Sequence, residues 1–576
     1  MTLDGLTLHY IVKEAAAALT GSKIDKVHQP QPDTILLSLR APGINSRLLI
    51  SAGAADSRMY ITSAKYLNPK AAPMFCMFLR KHIMGAKIKA IEQVGLERVV
   101  NITLETKDEL GLPHELTLVA ELMGKYSNII LKNEQDVIMD SLRHVSSAQS
   151  RVRCVLPSLK YELPKSTKLN PMSVSEATLI EMLKKRGARK LKDYLSKLLQ
   201  GVSGQTADEI IYRYMPEGYE PQPREAERLA GLILSFFNSQ APEPTMYLHG
   251  NVPFFYSPHK FISVSANNVK TYGSANELAD AFYTALSEIR EFNVKRDSLQ
   301  RLVSKRLEKH NALLGKQSDS IDKAKKADSY KNTGDIITAN IYRIKKGMTS
   351  VAAEDYATGQ QTLIELNPRL SPAANAQANY KKYAKLKSGI DIIQKRMDEN
   401  KADIEFLESV QVSLESSETA DELSEIEFEL SRAGVISIKA AAAKATEKPS
   451  APHKFLSSGG YTFFAGKNNR QNDTLTMKTA SSEDIWLHTK DIPGSHVIII
   501  HPGESVPDGT LFEAATVAAT LSKAKGTAKI AVDYTRVKNV RKPGGAKPGM
   551  VVYDKYNTVL VSPDKALLDT LLVKQE

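Results

Sequence analysis

The chain begins with apolar residues at helical spacing: LHYIVKEAAAAL, residues 8–19, predicts a helix that stops before Gly21. The pattern then changes to short apolar alternations. These predict strands over 23–28, 34–39, 48–51 and 59–62. MFCMFLRKHI, residues 74–83, is apolar on one face and ends in Arg80, Lys81 and His82, cations that suit the negative end of a helix dipole. Further strands are expected over 87–94, 99–105, 116–121, 128–132 and 137–140. Together these elements predict an α+β domain over 1–175.

Residues 176–240 read as helices. Within them, Gly201 and Gly204 lie three apart, between Leu198-Leu199 and Ala207 with Ile210-Ile211. That arrangement fits a helix-hairpin-helix whose second helix could turn its first amides to a phosphate; a plain helix–helix turn is the alternative. Residues 241–278 return to short strands and are expected to pack on the N-terminal body. From 279 to 436 the chain predicts two long helices. The second carries Ile390, Ile393, Met397, Asn400, Ile404, Leu407, Gln411 and Leu414 at alternating steps of three and four. An antiparallel coiled-coil arm with a tip insert at 330–375 follows from this; two helices of a compact bundle are the alternative. Residues 437–452 are low in complexity and end in prolines, as a linker does. Residues 453–576 are again α+β, with strands expected over 461–465, 485–488, 497–500, 528–532, 550–553 and 558–561, and a helix over 511–524. The fold class expected overall is a multidomain α+β protein.

A length of 576 residues agrees with several modules rather than one. The formal charge of +12 and pI of about 9.2 point to a polyanionic partner, a nucleic acid or an anionic surface. Two cysteines, Cys76 and Cys154, exclude a four-cysteine metal site and make a disulfide framework implausible. Cys76 sits in an apolar run and reads as core. The N-terminus has no basic start and carries Asp4 early, and no apolar stretch reaches the ~20 residues that span a bilayer. A cytoplasmic protein without membrane attachment is expected. There is no phosphate-binding loop, dinucleotide fingerprint, zinc-protease motif or nucleophile elbow. The expectation is a binding protein, not an enzyme, with no cofactor, no metal and no catalytic residue.

The candidate chemistry lies near the C-terminus. Lys467, Asn468, Asn469 and Arg470 follow Gly466. His488, Lys490 and His496 flank a Pro-Gly turn next to Trp486, the single tryptophan, which reads as a core anchor. Arg536, Lys538, Arg541, Lys542 and Lys547 interleave with glycine turns. Such loops bring cations and amides to phosphates, while Tyr534 or a histidine could stack on an unpaired base. A solvated basic hairpin is the alternative.

PMFCMFLRKH (73–82), GKNNRQN (466–472), IWLHTKDIPGSH (485–496) and GGAKPG (544–549), in this order, resemble the NFACT family across essentially the whole chain. The resemblance implies an N-terminal domain similar in fold to formamidopyrimidine-DNA glycosylase, then the helix-hairpin-helix, the coiled-coil arm and an RNA-binding domain. It implies a ribosome quality-control factor that binds the large ribosomal subunit and its ribosomal RNA after a stalled ribosome splits, with peptidyl-tRNA and its nascent chain still attached. Such a factor recruits alanyl-tRNA, and the nascent chain gains an alanine tail without a codon. A small RNA-binding protein is implied as an assisting partner. The family's tRNA-handling residues fall on Asp4, Glu97 and Arg98. Glu97 stands where the family has Asp, which moves the carboxylate by one methylene; away from the resemblance, Glu97 and Arg98 read as a solvated turn. Two competing functions come with the family. One is a surface adhesin that binds fibronectin, after an older family name. The other is a DNA-repair glycosylase, against which stand Thr2 in place of an N-terminal proline and too few cysteines for a zinc finger.

Overall fold

The computed structural model describes residues 3–107, 111–187, 189–214, 221–238, 241–355, 358–437, 450–500 and 505–573. The expected linker at 437–452 lies mostly outside the described residues, which omit 438–449. The chain forms two compact units, residues 1–290 and 291–576.

In the first unit, α1 (Gly5–Leu19) buries Leu8, Ile11, Val12, Ala15 and Leu19 on one face. Each large aliphatic side chain buried this way contributes about 1.5–3 kcal/mol. That face lies on a nine-stranded antiparallel sheet ordered β4-β3-β2-β1-β5-β6-β7-β8-β9. Its strands are β1 (Lys23–Gln31), β2 (Thr34–Ala41), β3 (Ile44–Ser51), β4 (Arg58–Ile61), β5 (Lys87–Gln93), β6 (Val99–Lys107), β7 (Pro113–Glu121), β8 (Asn128–Asn133) and β9 (Ile138–Ser141). The sheet consists of two meanders joined at β1 and β5, with α2 (Met74–Ile83) connecting them. Cys76, on the inner face of α2, is fully buried.

Four helices follow: α3 (Glu176–Lys184), α4 (Leu191–Leu198), α5 (Gly204–Tyr214) and α6 (Ala226–Asn238). They share a separate core with Tyr247 of β10 (Thr245–His249) and Phe255 of β11 (Val252–Ser257), whose sheet is completed by the exposed β12 (Asn268–Thr271). That core also takes in Leu6 and Leu96 from the N-terminal body. The long helix α7 (Ala275–Lys325) starts in this unit. Its first amides, on Ala275 and Asn276, donate to the Glu14 carboxylate of α1 at 2.8 and 2.9 Å. Its Leu278 and Phe282 complete the sheet core.

In the second unit α7 is followed by α8 (Ala327–Ala339), the hairpin β13 (Ser350–Asp355)–β14 (Gln360–Glu365), α9 (Pro372–Ser416) and α10 (Ala420–Arg432). Leu299, Val303 and Leu307 of α7 pack with Phe406, Leu407, Val410 and Leu414 of α9 and with Leu423, Ile426 and Leu430 of α10. Asn400 is buried: its amide donates to the His310 carbonyl at 2.9 Å and to Gln317 at 3.2 Å. A buried polar group of this kind ties two apolar helices to one register.

The C-terminal part is a six-stranded antiparallel sheet with order β15-β16-β18-β17-β19-β22. It comprises β15 (His453–Leu456), β16 (Thr462–Ala465), β17 (Ile485–Thr489), β18 (Val497–Ile499), β19 (Ile530–Arg536) and β22 (Asn557–Val561). The helix Asp508–Thr520 buries small side chains, Ala514, Ala515, Ala518 and Ala519, against it. On the other face Trp486, fully buried, packs with Leu475, Ile498 and Val540. The strand expected over 528–532 runs four residues further, so Asp533–Arg536 belong to β19 rather than to a loop. The cause is Asp533, buried and accepting hydrogen bonds from Tyr553 at 2.8 Å and Thr558 at 2.6 Å. The segment expected as a strand over 550–553 pairs only at β21 (Val552–Tyr553), in a two-stranded ribbon with β20 (Val540–Arg541).

Candidate RNA-handling sites

Asp4, Glu97 and Arg98 converge in the first unit through the helix-hairpin turn. Asp4 caps α1, its Oδ1 accepting the Thr7 amide at 2.9 Å. Its Oδ2 accepts the hydroxyl of Thr206, in the first turn of α5, at 2.7 Å. One carboxylate thus serves two helix N-termini, where negative charge is favoured. Gly5 lies so close to the 95–98 turn that a Cβ there would sit 1.9 Å from the Leu96 carbonyl oxygen and 2.8 Å from Gly201 Cα. The Leu6 amide donates to the Gly201 carbonyl at 3.3 Å. The Gln93 amide joins the carbonyls of Gly5 and Glu97, each at 2.9 Å, and the Gln200 side chain accepts the Leu96 amide at 3.2 Å. Gly201 adopts φ +74°, which favours glycine.

Glu97 accepts a hydrogen bond from Ser166 at 2.5 Å. Arg98 is half-buried. Its Nη1 donates to the Leu3 carbonyl at 3.3 Å, and among the described residues no carboxylate comes within ion-pair distance. Burial pushes its pKa down, and Asp4 and Glu97 offset this only in part. A desolvated guanidinium without a close counter-charge is ready to take an anion in a bidentate contact. Gln93, Gln200, Thr206 and Ser166 were not candidates from the sequence. The glycine turn at 201–204 was a signal for Gln200 and Thr206, and Gln93 and Ser166 had none.

The C-terminal candidates lie in the second unit. GKNNRQN forms a short helix, Asn469–Thr474, capped by Asn468. Asn468 and Asn469 are buried against α10: Asn468 donates to Glu425 at 2.7 Å and Asn469 to Glu429 at 2.8 Å. Lys467 pairs with Glu422 at 2.8 Å, and Arg470 lies over the Phe428 ring at 5.3 Å. His496 is buried and meets the Thr476 hydroxyl at 2.8 Å; burial drives its pKa well below the usual value. His488 stacks on Trp486, and burial takes its pKa to about 4. Both rings are therefore neutral at physiological pH and bring no charge to a phosphate. Lys490 is placed over the Tyr556 ring at 5.0 Å.

The basic residues from the end of β19 onward have carboxylate neighbours. Arg536 and Lys538 both pair with Glu483, at 2.7 and 2.9 Å. Arg541 lies 3.9 Å from Asp554 and is 76% exposed at its side chain. Lys542 pairs with Asp473, and Lys547 with Asp403 of α9. The exposed pairs of Arg536, Lys538 and Arg541 are worth about 0–1 kcal/mol each, so phosphates can replace them at small cost, whereas Lys542 and Lys547 are part-buried with their carboxylates.

Residues 4–449 match the model for NFACT N-terminal and middle domains, and residues 451–555 match the NFACT protein RNA binding domain. The chain belongs to the NFACT family. Asp4, Glu97 and Arg98 fall in the first match, and the C-terminal candidates, from Lys467 to Lys547, all fall in the RNA-binding domain. The NFACT chain is 34% identical to the Rqc2 homolog RqcH of Bacillus subtilis, over 98% of both chains. It is 33% identical to that of Streptococcus suis, over the full length of both. A shorter match, 26% identical over 24% of this chain and 12% of the relative, is to the human ribosome quality control complex subunit NEMF. This NFACT chain is thus homologous to ribosome quality-control factors. Among solved structures, the N-terminal part of the fibronectin/fibrinogen-binding protein from Streptococcus suis is 30% identical, covers 49% of this chain and 99% of its own, and has a TM-score of 0.43. No helix among the described residues is long and apolar enough to cross a membrane.

Proposed function

We propose that this chain binds stalled large ribosomal subunits carrying peptidyl-tRNA, recruits alanyl-tRNA, and promotes alanine tailing of the nascent chain without a codon. Arg98 carries the reading: a half-buried cation at a junction built from α1, the 95–98 turn and the helix hairpin, with only a 3.3 Å hydrogen bond to Leu3. Such a group orients an RNA phosphate or base edge. The ribosome's own centre makes the peptide bond, and this chain contributes positioning, which lowers a barrier without a catalytic group. In this reading the N-terminal body is glycosylase-like in fold but not in chemistry. Segments 1–175, 176–240, 241–278, 279–436 and 453–576 act as separate parts, with α7 and α9 as a coiled-coil arm, and the protein works in the cytoplasm.

The test compares wild type, Arg98→Ala and Glu97→Asp after pull-down, measuring large subunit, tRNA and tailed chains together. Arg98→Ala keeps the subunit and loses tRNA and tailing, at a cost of ~1–3 kcal/mol if the contact resembles a bidentate base contact. Glu97→Asp retains tailing. Wild-type tRNA and tailing in Arg98→Ala would refute the site.

A further inference from the structure

Lys168 stands beside this junction on a segment that the family motifs do not include. Ser166, two residues before it, holds the Glu97 carboxylate, and the Lys168 amide donates to the Ser166 hydroxyl at 3.3 Å. The next residue, Leu169, bonds to the end of α4: its amide donates to the Leu198 carbonyl and its carbonyl accepts the Gln200 amide, each at 2.8 Å. Lys168 is thus fixed between the 95–98 turn and the helix hairpin. Its ammonium donates to the Ser196 carbonyl at 2.9 Å, and among the described residues it has no carboxylate within ion-pair distance.

The formal charges of Asp4, Glu97, Arg98 and Lys168 sum to zero, but they are not paired off with one another. Asp4 is matched by the N-termini of α1 and α5, each equivalent to roughly half a positive charge. Glu97 faces two cations, Arg98 and Lys168, and the last turn of α4 offers Lys168 only the partial charge of a carbonyl. Burial, then Arg98, pushes the Lys168 pKa down, while Glu97 opposes this. An ammonium carries three donors and Ser196 uses one, so two remain for an outside acceptor.

We infer that Lys168 is a second phosphate-binding residue of the Asp4–Glu97–Arg98 site, gripping the RNA backbone next to the group that Arg98 orients. This rests on the tRNA-handling reading above. Lys168 adds a contact that depends on charge and not on sequence.

The test is binding of total transfer RNA to the full chain over a salt series, for wild type, Lys168→Gln, Lys168→Arg and Arg98→Ala. Glutamine still reaches toward the Ser196 carbonyl as a donor but carries no charge. Lys168→Gln is expected to bind about tenfold more weakly at low salt, with the slope of log affinity against log salt smaller by ~0.7–0.9, as one lost phosphate contact requires. Lys168→Arg restores both. If Lys168 only ties down the end of α4, Lys168→Gln keeps wild-type affinity and slope, and the inference falls while Arg98→Ala still weakens binding. If Arg98→Ala also binds as wild type, the tRNA-handling reading falls with it. A thermal midpoint for each variant separates a folding loss from a binding loss: affinity lost only in proportion to unfolded protein overturns the assignment.

Discussion

Gly5→Ala tests the tightest backbone surroundings of any glycine among the described residues of the first unit. The new methyl would lie 1.9 Å from the Leu96 carbonyl oxygen and 2.8 Å from Gly201 Cα. Both neighbours are backbone, so neither moves without shifting a whole turn. Overpacking of this kind costs about 1–3 kcal/mol. Parting the segments also strains the Leu6–Gly201 bond and the Gln93 bridge, at about 0.5–1.5 kcal/mol for each bond lost. Alanine returns roughly 0.5–1 kcal/mol through its better helix propensity at the start of α1. The cost exceeds the gain, and a net loss of about 1–5.5 kcal/mol is expected. Denaturant unfolding of the full chain gives the midpoint, and hydrogen exchange at the Leu6 and Leu96 amides localises the change. Both amides are expected to exchange faster, and tRNA binding to fall with them. A wild-type midpoint with unchanged protection at both amides would refute the close approach and the convergence built on it.

Replacing Arg536, Lys538, Arg541, Lys542 and Lys547 with alanine is expected to weaken RNA or ribosome binding and flatten its salt dependence, by less than ~0.9 per residue because carboxylates already neutralise part of the charge; affinity unchanged at every salt concentration would mark the loop as solvated surface. Glu429 predicts a pH dependence of stability: burial, with Asp473 adding to it, raises its pKa to about 7, against the Asn469 amide and backbone bonds that lower it. The folded state therefore binds the extra proton between the unfolded carboxylate range and pH 7, so the penalty on folding is present above pH 7 and fades as pH falls toward 4.5. Glu429→Gln removes the titrating group and keeps one acceptor oxygen for Asn469; it is expected to flatten the profile between pH 5 and 7, read from denaturant midpoints, and a slope unchanged from wild type would refute the assignment.

The N-terminal strands were legible because alternation is long there and one face is buried: 99–105 was expected where Val99–Lys107 forms, and 116–121 where Pro113–Glu121 forms. Short polar elements were not. The helix Asn469–Thr474 is six residues long, and its buried side chains are amides, so no apolar period announces it. The helix Lys565–Leu571 and strand His453–Leu456 are likewise too short for a period. Asn468, Asn469 and His496 were legible as chemistry but not as buried groups, because the carboxylates that hold the two asparagines lie about forty residues away on α10. The convergence of Asp4 with Thr206 spans 202 residues, and no local pattern encodes it. Asp4, Glu97 and Arg98 came from resemblance. Lys168 came from the fold alone.

The burial of Trp486 has a practical consequence. It is the chain's single indole, fully enclosed, with Tyr553 centred 4.7 Å away. Excitation at the red edge of the indole absorption band, where tyrosine no longer absorbs, therefore reports on the C-terminal sheet alone. Melting of the nine-stranded body alone leaves that emission unchanged, while the tyrosines, which lie in both units, report on the chain as a whole, so one protein sample gives a local optical signal and a global one.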